Sequence, residues 1–122
     1  MIRVAQVAAV LAGVLHVLFF VMESVLFSRP AVHGRFLVAA QDVDRVRRWA
    51  FNQGFYNLFL AVGLFAGLLL GIRSDAGRAL VVLTCGSMVG AALVLVGTDR
   101  RMARAALIQG GPPLVALVAT LL

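Results

Sequence analysis

Residues 4–27 of the chain read VAQVAAVLAGVLHVLFFVMESVLF, an apolar run that only Gln6, His16, Glu23 and Ser24 interrupt with polar side chains. A helix crosses a hydrocarbon core with about 20 apolar residues, so this run predicts a membrane-spanning helix. Because a charged carboxyl on such a helix costs about 3 kcal/mol or more, we expect Glu23 to be buried against partners or to have a function. The run is longer than a signal peptide and carries His16 and Glu23, which favours a helix that is retained.

Three further apolar segments follow, at residues 49–72, 79–97 and 105–122. Hydrophobic residues make up 62% of the 122-residue chain, more than a soluble domain of this size can bury. The sequence therefore predicts an all-α fold, an antiparallel bundle of four transmembrane helices that forms a single integral-membrane domain over residues 1–122. Residues 36–49 mix apolar and charged side chains, which predicts a short interfacial helix in the first loop with Trp49 as its anchor.

All eleven basic residues are arginines, and they give the chain a net charge of +6. They flank the apolar segments, where arginines contact lipid headgroups and set orientation. Eight of them fall in the first and third loops and three on the opposite side. This bias predicts an inner (plasma) membrane protein with both termini outside and those two loops in the cytoplasm. The expected partner is the lipid bilayer, and no motif indicates nucleic-acid binding.

Polar residues of three predicted helices are expected to meet in the cytoplasmic half of the bundle. On the first helix, His16 and Glu23 share one stripe with small residues, because seven steps of about 100° return to the same face. The second helix begins with polar residues at the depth of Glu23, and the fourth offers Gln109. The predicted ligand-binding residues are Asn52, Gln53, Tyr56, Asn57 and Gln109. Small-xxx-small spacings, as at Gly63 and Gly67 or Gly86 and Gly90, predict close helix packing and are also compatible with a homodimer.

The chemistry of this site is expected to depend on Glu23 and His16, the candidate catalytic residues. Seven residues place them about 10 Å apart along the helix, so a ligand, a water or an amide must lie between them. A metal site is not expected, because the chain has no tight spacing of metal ligands. Motifs for phosphate or dinucleotide binding are absent, so no cofactor is expected. The single cysteine, Cys85, lies within the third apolar segment, and we expect it to be a packing residue.

Three sequence segments carry a resemblance to a known family. They are His16-x-x-Phe-Phe-x-x-Glu23, Asn52-Gln-Gly-x-Tyr-Asn57-x-Phe-Leu-Ala-x-Gly, and Gln109-Gly-x-Pro. The chain resembles a family of small bacterial four-helix membrane proteins, catalogued as the domain of unknown function numbered thirteen hundred and four. The resemblance covers nearly the whole chain and implies the four-helix fold and the marked positions, without a function.

Three functions are compatible with the sequence. The first is an intramembrane pocket that binds a small lipophilic molecule; if it also transforms the ligand, Glu23 and His16 would act as acid–base groups in a cofactor-independent isomerase or hydratase. The second is a proton-coupled exporter of small cations that resembles the small multidrug-resistance proteins in length, span count and first-helix glutamate. The third is a structural subunit without a ligand, whose polar residues only specify helix pairing.

Overall fold

The computed structural model describes all 122 residues and contains helices and turns without any strand. The α-helices are α1 (Ile2–Phe20), α2 (Pro30–His33), α3 (Val43–Leu70), α4 (Asp75–Thr98) and α5 (Ala103–Leu121). A π-helical turn, Val21–Val25, continues α1, and short 3-10 turns lie at Gly34–Phe36, Ala40–Asp42 and Arg100–Met102. The predicted all-α fold with four long apolar helices is confirmed.

The helix boundaries differ from the predicted spans at two places. Helix α3 begins at Val43, so the charged residues before Trp49 form its first turns instead of a separate interfacial helix. The short helix of the first loop is α2, Pro30–His33. Helix α4 begins at Asp75, where the Ser74 side chain accepts a hydrogen bond from the backbone N–H of Gly77. Hydropathy marks only the apolar part of each helix, and N-terminal caps and charged turns extend it into the polar region.

Four helices are long and apolar enough to cross a membrane. These spans are Ile2–Val25, Ala40–Leu70, Asp75–Thr98 and Arg100–Leu121. Large apolar side chains are exposed on every one of them; Leu69, for example, is 89% exposed. Apolar surface on this scale requires a lipid environment, because water would leave each of these side chains unburied. The chain is a membrane protein.

The chain divides into two compact units. Unit 1 comprises residues 1–15 and 60–122, and unit 2 comprises residues 16–59. Helices α1 and α3 each contribute one segment to both units. Two compact units can belong to one folding domain, so the prediction of a single integral-membrane domain over residues 1–122 stays a prediction.

Unit 1 is a four-helix bundle with a core of small and aliphatic side chains. Every helix segment of the unit contributes to this core, and the buried members are Ala5, Ala8, Ala9, Ala12, Leu64, Ile72, Val81, Cys85, Met88, Ala116 and Ala119. The predicted small-residue stripe of α1 is thus buried, with Ala5, Ala9 and Ala12 fully inaccessible. Cys85 is a buried free thiol within this core. Short side chains let helix axes approach closely, which is the main source of attraction between helices in lipid.

Helices α3 and α4 approach each other closely at glycines. A Cβ atom on Gly77 would overlap the backbone oxygens of Gly71 and Gly67. Gly71 has a φ of +90°, which an L side chain rarely adopts, and it follows directly on Leu70, the last residue of α3. Gly86 and Gly90, by contrast, face open space, so the packing predicted for these two glycines does not occur within the chain.

Unit 2 contains the end of α1, the π-helical turn, the first loop and the first four turns of α3. Its small apolar cluster consists of Phe27, Val43 and Ala50, with Phe36, Val38 and Val46 packed against them. Polar groups are buried here as well, namely the side chains of His16, Glu23, His33 and Asn57. Unit 2 therefore contains most of the buried polar side chains of the protein and is the place to look for a site.

Candidate functional site

Glu23 lies in the middle of the π-helical turn. The backbone N–H of Leu26 donates to the carbonyl oxygen of Val21 at 2.9 Å, so the turn contains one residue more than an α-helical turn. The turn ends the first span, since the chain continues from Val25 into a bend and then into α2. Wider turns of this kind are common at the C-terminal ends of helices. The turn contains neither glycine nor proline, so its sequence does not by itself call for a wider turn.

The Glu23 side chain is buried, with 8% of its surface exposed, and it accepts a hydrogen bond from α3. Asn57 Nδ2 donates to Glu23 Oε1 at 2.8 Å. Asn57 is buried to the same extent. A primary amide that is fixed beside a carboxyl group stabilises it through the donor and keeps the carboxyl in one orientation. The second carboxyl oxygen, Oε2, makes no hydrogen bond within the protein and is available to a ligand.

A second polar contact joins the same two chain segments one residue further along. Ser24 Oγ donates to the backbone carbonyl of Phe51 at 2.7 Å. Gly54 lies directly against Ser24, and a Cβ atom at that position would collide with the serine hydroxyl. The glycine therefore lets α3 approach the π-helical turn closely enough for both hydrogen bonds to form.

Glu23 opens onto a cavity of about 600 Å³ within unit 2. Pockets for small ligands are typically about 300–1,000 Å³, so the volume fits a medium-sized organic molecule. Most of the wall is apolar and comes from Phe27, Phe36, Val38, Val46, Trp49 and Ala50, while Arg48, Asn52 and Gln53 complete it. The arrangement combines an apolar wall with a few polar groups, which is characteristic of small-molecule sites.

The first loop supplies two of the apolar wall residues, Phe36 and Val38. Leu37 between them adopts a left-handed conformation, with φ 59° and ψ 32°, and its side chain is half exposed. His33 holds this bend, since its Nδ1 donates to the carbonyl of Val38 at 2.7 Å. A bulky residue in the left-handed region costs about 1–3 kcal/mol, and such strain tends to collect at ligand sites.

The structure brings together some of the predicted site residues and separates others. Glu23 and Asn57 are hydrogen-bonded, and Asn52 and Gln53 line the same cavity with exposed side chains. Tyr56 is 60% exposed and lies outside the cavity wall. The buried stripe of α3 runs through Ala50, Gly54, Asn57, Ala61 and Leu64, and is narrower than the predicted arc.

Two further predicted residues lie outside the cavity. His16 is buried, with 1% of its surface exposed, and its ring makes an edge-to-face contact with Phe19 at 5.2 Å. Gln109 lies on α5 in unit 1 and is half-buried. Their roles as acid–base and ligand-binding residues stay predictions. Groups of three or more His, Cys, Asp or Glu side chains that could hold a metal ion do not occur in the protein.

Comparison with known proteins identifies one family. A family model described as Protein of unknown function (DUF1304) matches residues 10–121. The chain belongs to this family. The predicted resemblance is thus confirmed, and the matched region includes every residue of the cavity. No curated protein and no solved structure matches the chain.

Sequence reasoning missed the apolar wall of the site and the serine beside Glu23. Phe27 is the last residue of the predicted first span, and Phe36 and Val38 follow that span. At all three positions an apolar residue is equally typical of a lipid contact. Arg48 and Trp49 were assigned only to the membrane interface. The one signal that could have found the approach of Ser24 was Gly54, a glycine within a helix whose neighbours are otherwise large.

Proposed function

We propose that the cavity of unit 2 binds a small lipophilic molecule whose polar group donates a hydrogen bond to Glu23. One observation carries the proposal: a buried carboxyl, fixed by Asn57 through one of its oxygens, lines a largely apolar cavity of about 600 Å³. Burying a carboxyl group in a membrane costs free energy unless hydrogen-bonding partners satisfy it. Residues that carry this cost are therefore often functional. The hydroxyl or amine of such a ligand would bind the Glu23 carboxyl, and its apolar part would pack against the aromatic side chains of the cavity wall.

Binding is better supported than catalysis. Acid–base chemistry on the ligand needs a second group within reach of the reacting atoms. His16, the predicted second group, does not line the cavity, whereas Glu23 does. Glu23 is therefore proposed as the group that recognises the ligand and can exchange a proton with it. The site also lies beside the first loop, which the arginine bias assigns to the cytoplasmic side of the plasma membrane, so we propose entry from the inner leaflet.

The only tryptophan of the chain, Trp49, lies in the cavity wall and serves as a reporter. The probe is 8-bromo-1-octanol, whose bromine quenches indole fluorescence, added to the full chain in nanodiscs. We expect saturable quenching of Trp49 that 1-octanol reverses by competition. Non-specific partition into the lipid would give quenching that grows with the probe and does not saturate, and this result would overturn the proposal.

Two control variants accompany the Glu23 variants. One distinguishes quenching in the cavity from quenching in the lipid, and the other distinguishes loss of the Glu23 carboxyl from loss of any acidic group. The double variant Trp49→Phe/Leu69→Trp moves the indole to an 89% exposed position in unit 1, where quenching should not saturate. Glu23→Leu should weaken binding about tenfold, and Glu23→Gln, which keeps an acceptor for Asn57, should weaken it less. Asp75→Asn, an exposed acid at the start of α4, should leave it unchanged.

The other two functions predict different results in the same experiments. An exporter requires that Glu23→Gln abolish resistance of cells to a cationic drug. A structural subunit requires that no probe saturate, while Asn57→Leu still disrupts folding.

A further inference from the structure

The cavity of unit 2 is lined by two side chains of opposite charge type, Glu23 and Arg48. Neither of them forms an ion pair, and the one salt bridge of the protein joins Asp99 to Arg101. Opposite charges that line one cavity without pairing to each other leave both available for a third partner. A charge-complementary ligand would pair with both.

The positions of the polar residues along α3 give a scale for the separation of Glu23 and Arg48. Arg48 precedes Asn57, the partner of Glu23, by nine residues, which corresponds to about 13 Å along the helix axis. Asn52 and Gln53 lie between them in sequence and also line the cavity. The apolar wall residues of the same helix, Val46, Trp49 and Ala50, flank Arg48, and Phe27, Phe36 and Val38 complete the apolar wall. A ligand that reaches from Glu23 to Arg48 therefore contacts the apolar wall with its middle part and has Asn52 and Gln53 beside it.

Glu23 and Arg48 differ in burial, and this difference indicates which chemical group of a ligand each would bind. Glu23 is buried and already holds one amide donor, so its free oxygen needs a hydroxyl or ammonium donor from the ligand. Arg48 is exposed and offers its guanidinium to a carboxylate or phosphate group. A ligand with only one of these groups would leave the other protein group to solvent or lipid.

Resting on the function proposed above, we propose that the ligand of this cavity is a dipolar amphiphile, with a donor or cationic group that binds Glu23 and an anionic group that binds Arg48, separated by an apolar segment. This assigns Arg48 a role in specificity. An arginine that only contacts lipid headgroups would not distinguish a dipolar ligand from a singly charged one.

The test compares three probes of equal chain length on the full protein in phosphatidylcholine nanodiscs. They are 8-aminooctanoate, octylamine and octanoate, and binding is read directly as the change in Trp49 emission. We expect 8-aminooctanoate to bind about tenfold more tightly than either singly charged probe, because it adds a second charge-assisted contact. Equal affinity of 8-aminooctanoate and octylamine would overturn the inference.

Variants of neighbouring arginines identify the group that recognises the anionic end. Arg48→Gln should remove the preference for 8-aminooctanoate and leave the affinity for octylamine within about twofold. Arg47→Gln is the matched control, since Arg47 carries the same charge on the same turn but does not line the cavity, and it should preserve the preference. A preference that survives Arg48→Gln, or that both variants remove equally, would contradict the assignment.

The same experiments distinguish failure of this inference from failure of the proposed function. They also distinguish a lipid headgroup from a free small molecule as the ligand. Saturable binding of 8-bromo-1-octanol without a preference for 8-aminooctanoate would contradict only this inference. If no probe binds saturably, both the inference and the proposed function are contradicted. Phosphatidylethanolamine added to the nanodiscs carries an amine and a phosphate that are only two carbons apart. Competition by this lipid with 8-aminooctanoate would therefore contradict the apolar spacing, whereas a preference that persists without competition supports a free small molecule as the ligand.

Discussion

In unit 1 the helices meet through alanines and glycines, whereas in unit 2 they meet through hydrogen-bonding side chains beside an open cavity. Small-residue packing is sufficient to hold helices together in lipid and leaves no polar group to be satisfied. Unit 2 instead carries a buried carboxyl, a π-helical turn and a strained leucine in its first loop. A buried carboxyl and a left-handed leucine cost stability, and their concentration in one unit is the reason why we propose a site there.

The largest expected effect is in unit 1, at the glycine that faces backbone atoms. We expect Gly77→Ala to destabilise the protein by about 3 kcal/mol, because the new methyl group would overlap the backbone oxygens of Gly67 and Gly71, which cannot rotate away. The free energy of unfolding can be measured by SDS titration in mixed micelles, with Trp49 fluorescence as the signal.

Gly90→Ala is the matched control for Gly77→Ala. Gly90 also lies within α4 but faces open space, so alanine should stabilise the helix by up to about 1 kcal/mol through its higher propensity. Equal losses at the two positions would show that the loss of glycine itself, and not the close approach of α3 and α4, sets the stability of unit 1.

A smaller effect is expected in unit 2 at Gly54, where the atom nearest to a new Cβ would be a side-chain hydroxyl that can rotate. Gly54→Ala should cost about 1 kcal/mol, because the Ser24 hydroxyl must turn away and lose its bond to the carbonyl of Phe51. The same substitution in a Ser24→Ala background should cost less than half as much, as judged by the same SDS titration. If the background makes no difference, the contact with Ser24 does not decide how closely α3 approaches.

The smallest effect is expected for the hydrogen bond between Glu23 and Asn57. A double-mutant cycle with Glu23→Leu and Asn57→Leu should give a coupling energy of about 0.6 kcal/mol, the average for polar contacts between membrane helices, whose range extends to about 1.7 kcal/mol. A cycle that pairs Glu23→Leu with Asn52→Leu is the control and should give no coupling, since Asn52 makes no bond to Glu23. A coupling above that range would make the pair a structural contact first, and would weaken the contrast between the two units.

Much of the fold could be predicted from the sequence because hydropathy is a local property. Four apolar segments specified the four spans, and the spacing of Ala5, Ala9 and Ala12 specified the buried stripe of α1. The spacing of Gly86 and Gly90 was an unreliable guide, because a small-residue pattern does not show whether a neighbouring helix is present. Helix ends were displaced by up to six residues, as for α3, since charged first turns carry no hydropathy signal.

The candidate site was only partly predictable. Glu23 could be singled out as an expensive carboxyl, and Asn57 was one of five polar residues predicted to bind a ligand around it. Which amide meets the carboxyl depends on a difference of one position around α3, and Tyr56, the neighbour of Asn57, is exposed. A rotation of about 100° per residue turns such a difference into opposite environments.

The sequence by itself determined that this is a four-helix membrane protein with an acid inside its first span, because apolar length and the cost of a carboxyl in lipid are properties of single segments. Only the tertiary structure decided that Glu23 lies in a π-helical turn, accepts a bond from Asn57 and faces an aromatic cavity. These features arise from the close approach of two segments about 30 residues apart and from the bend at Leu37, and no local pattern encodes either.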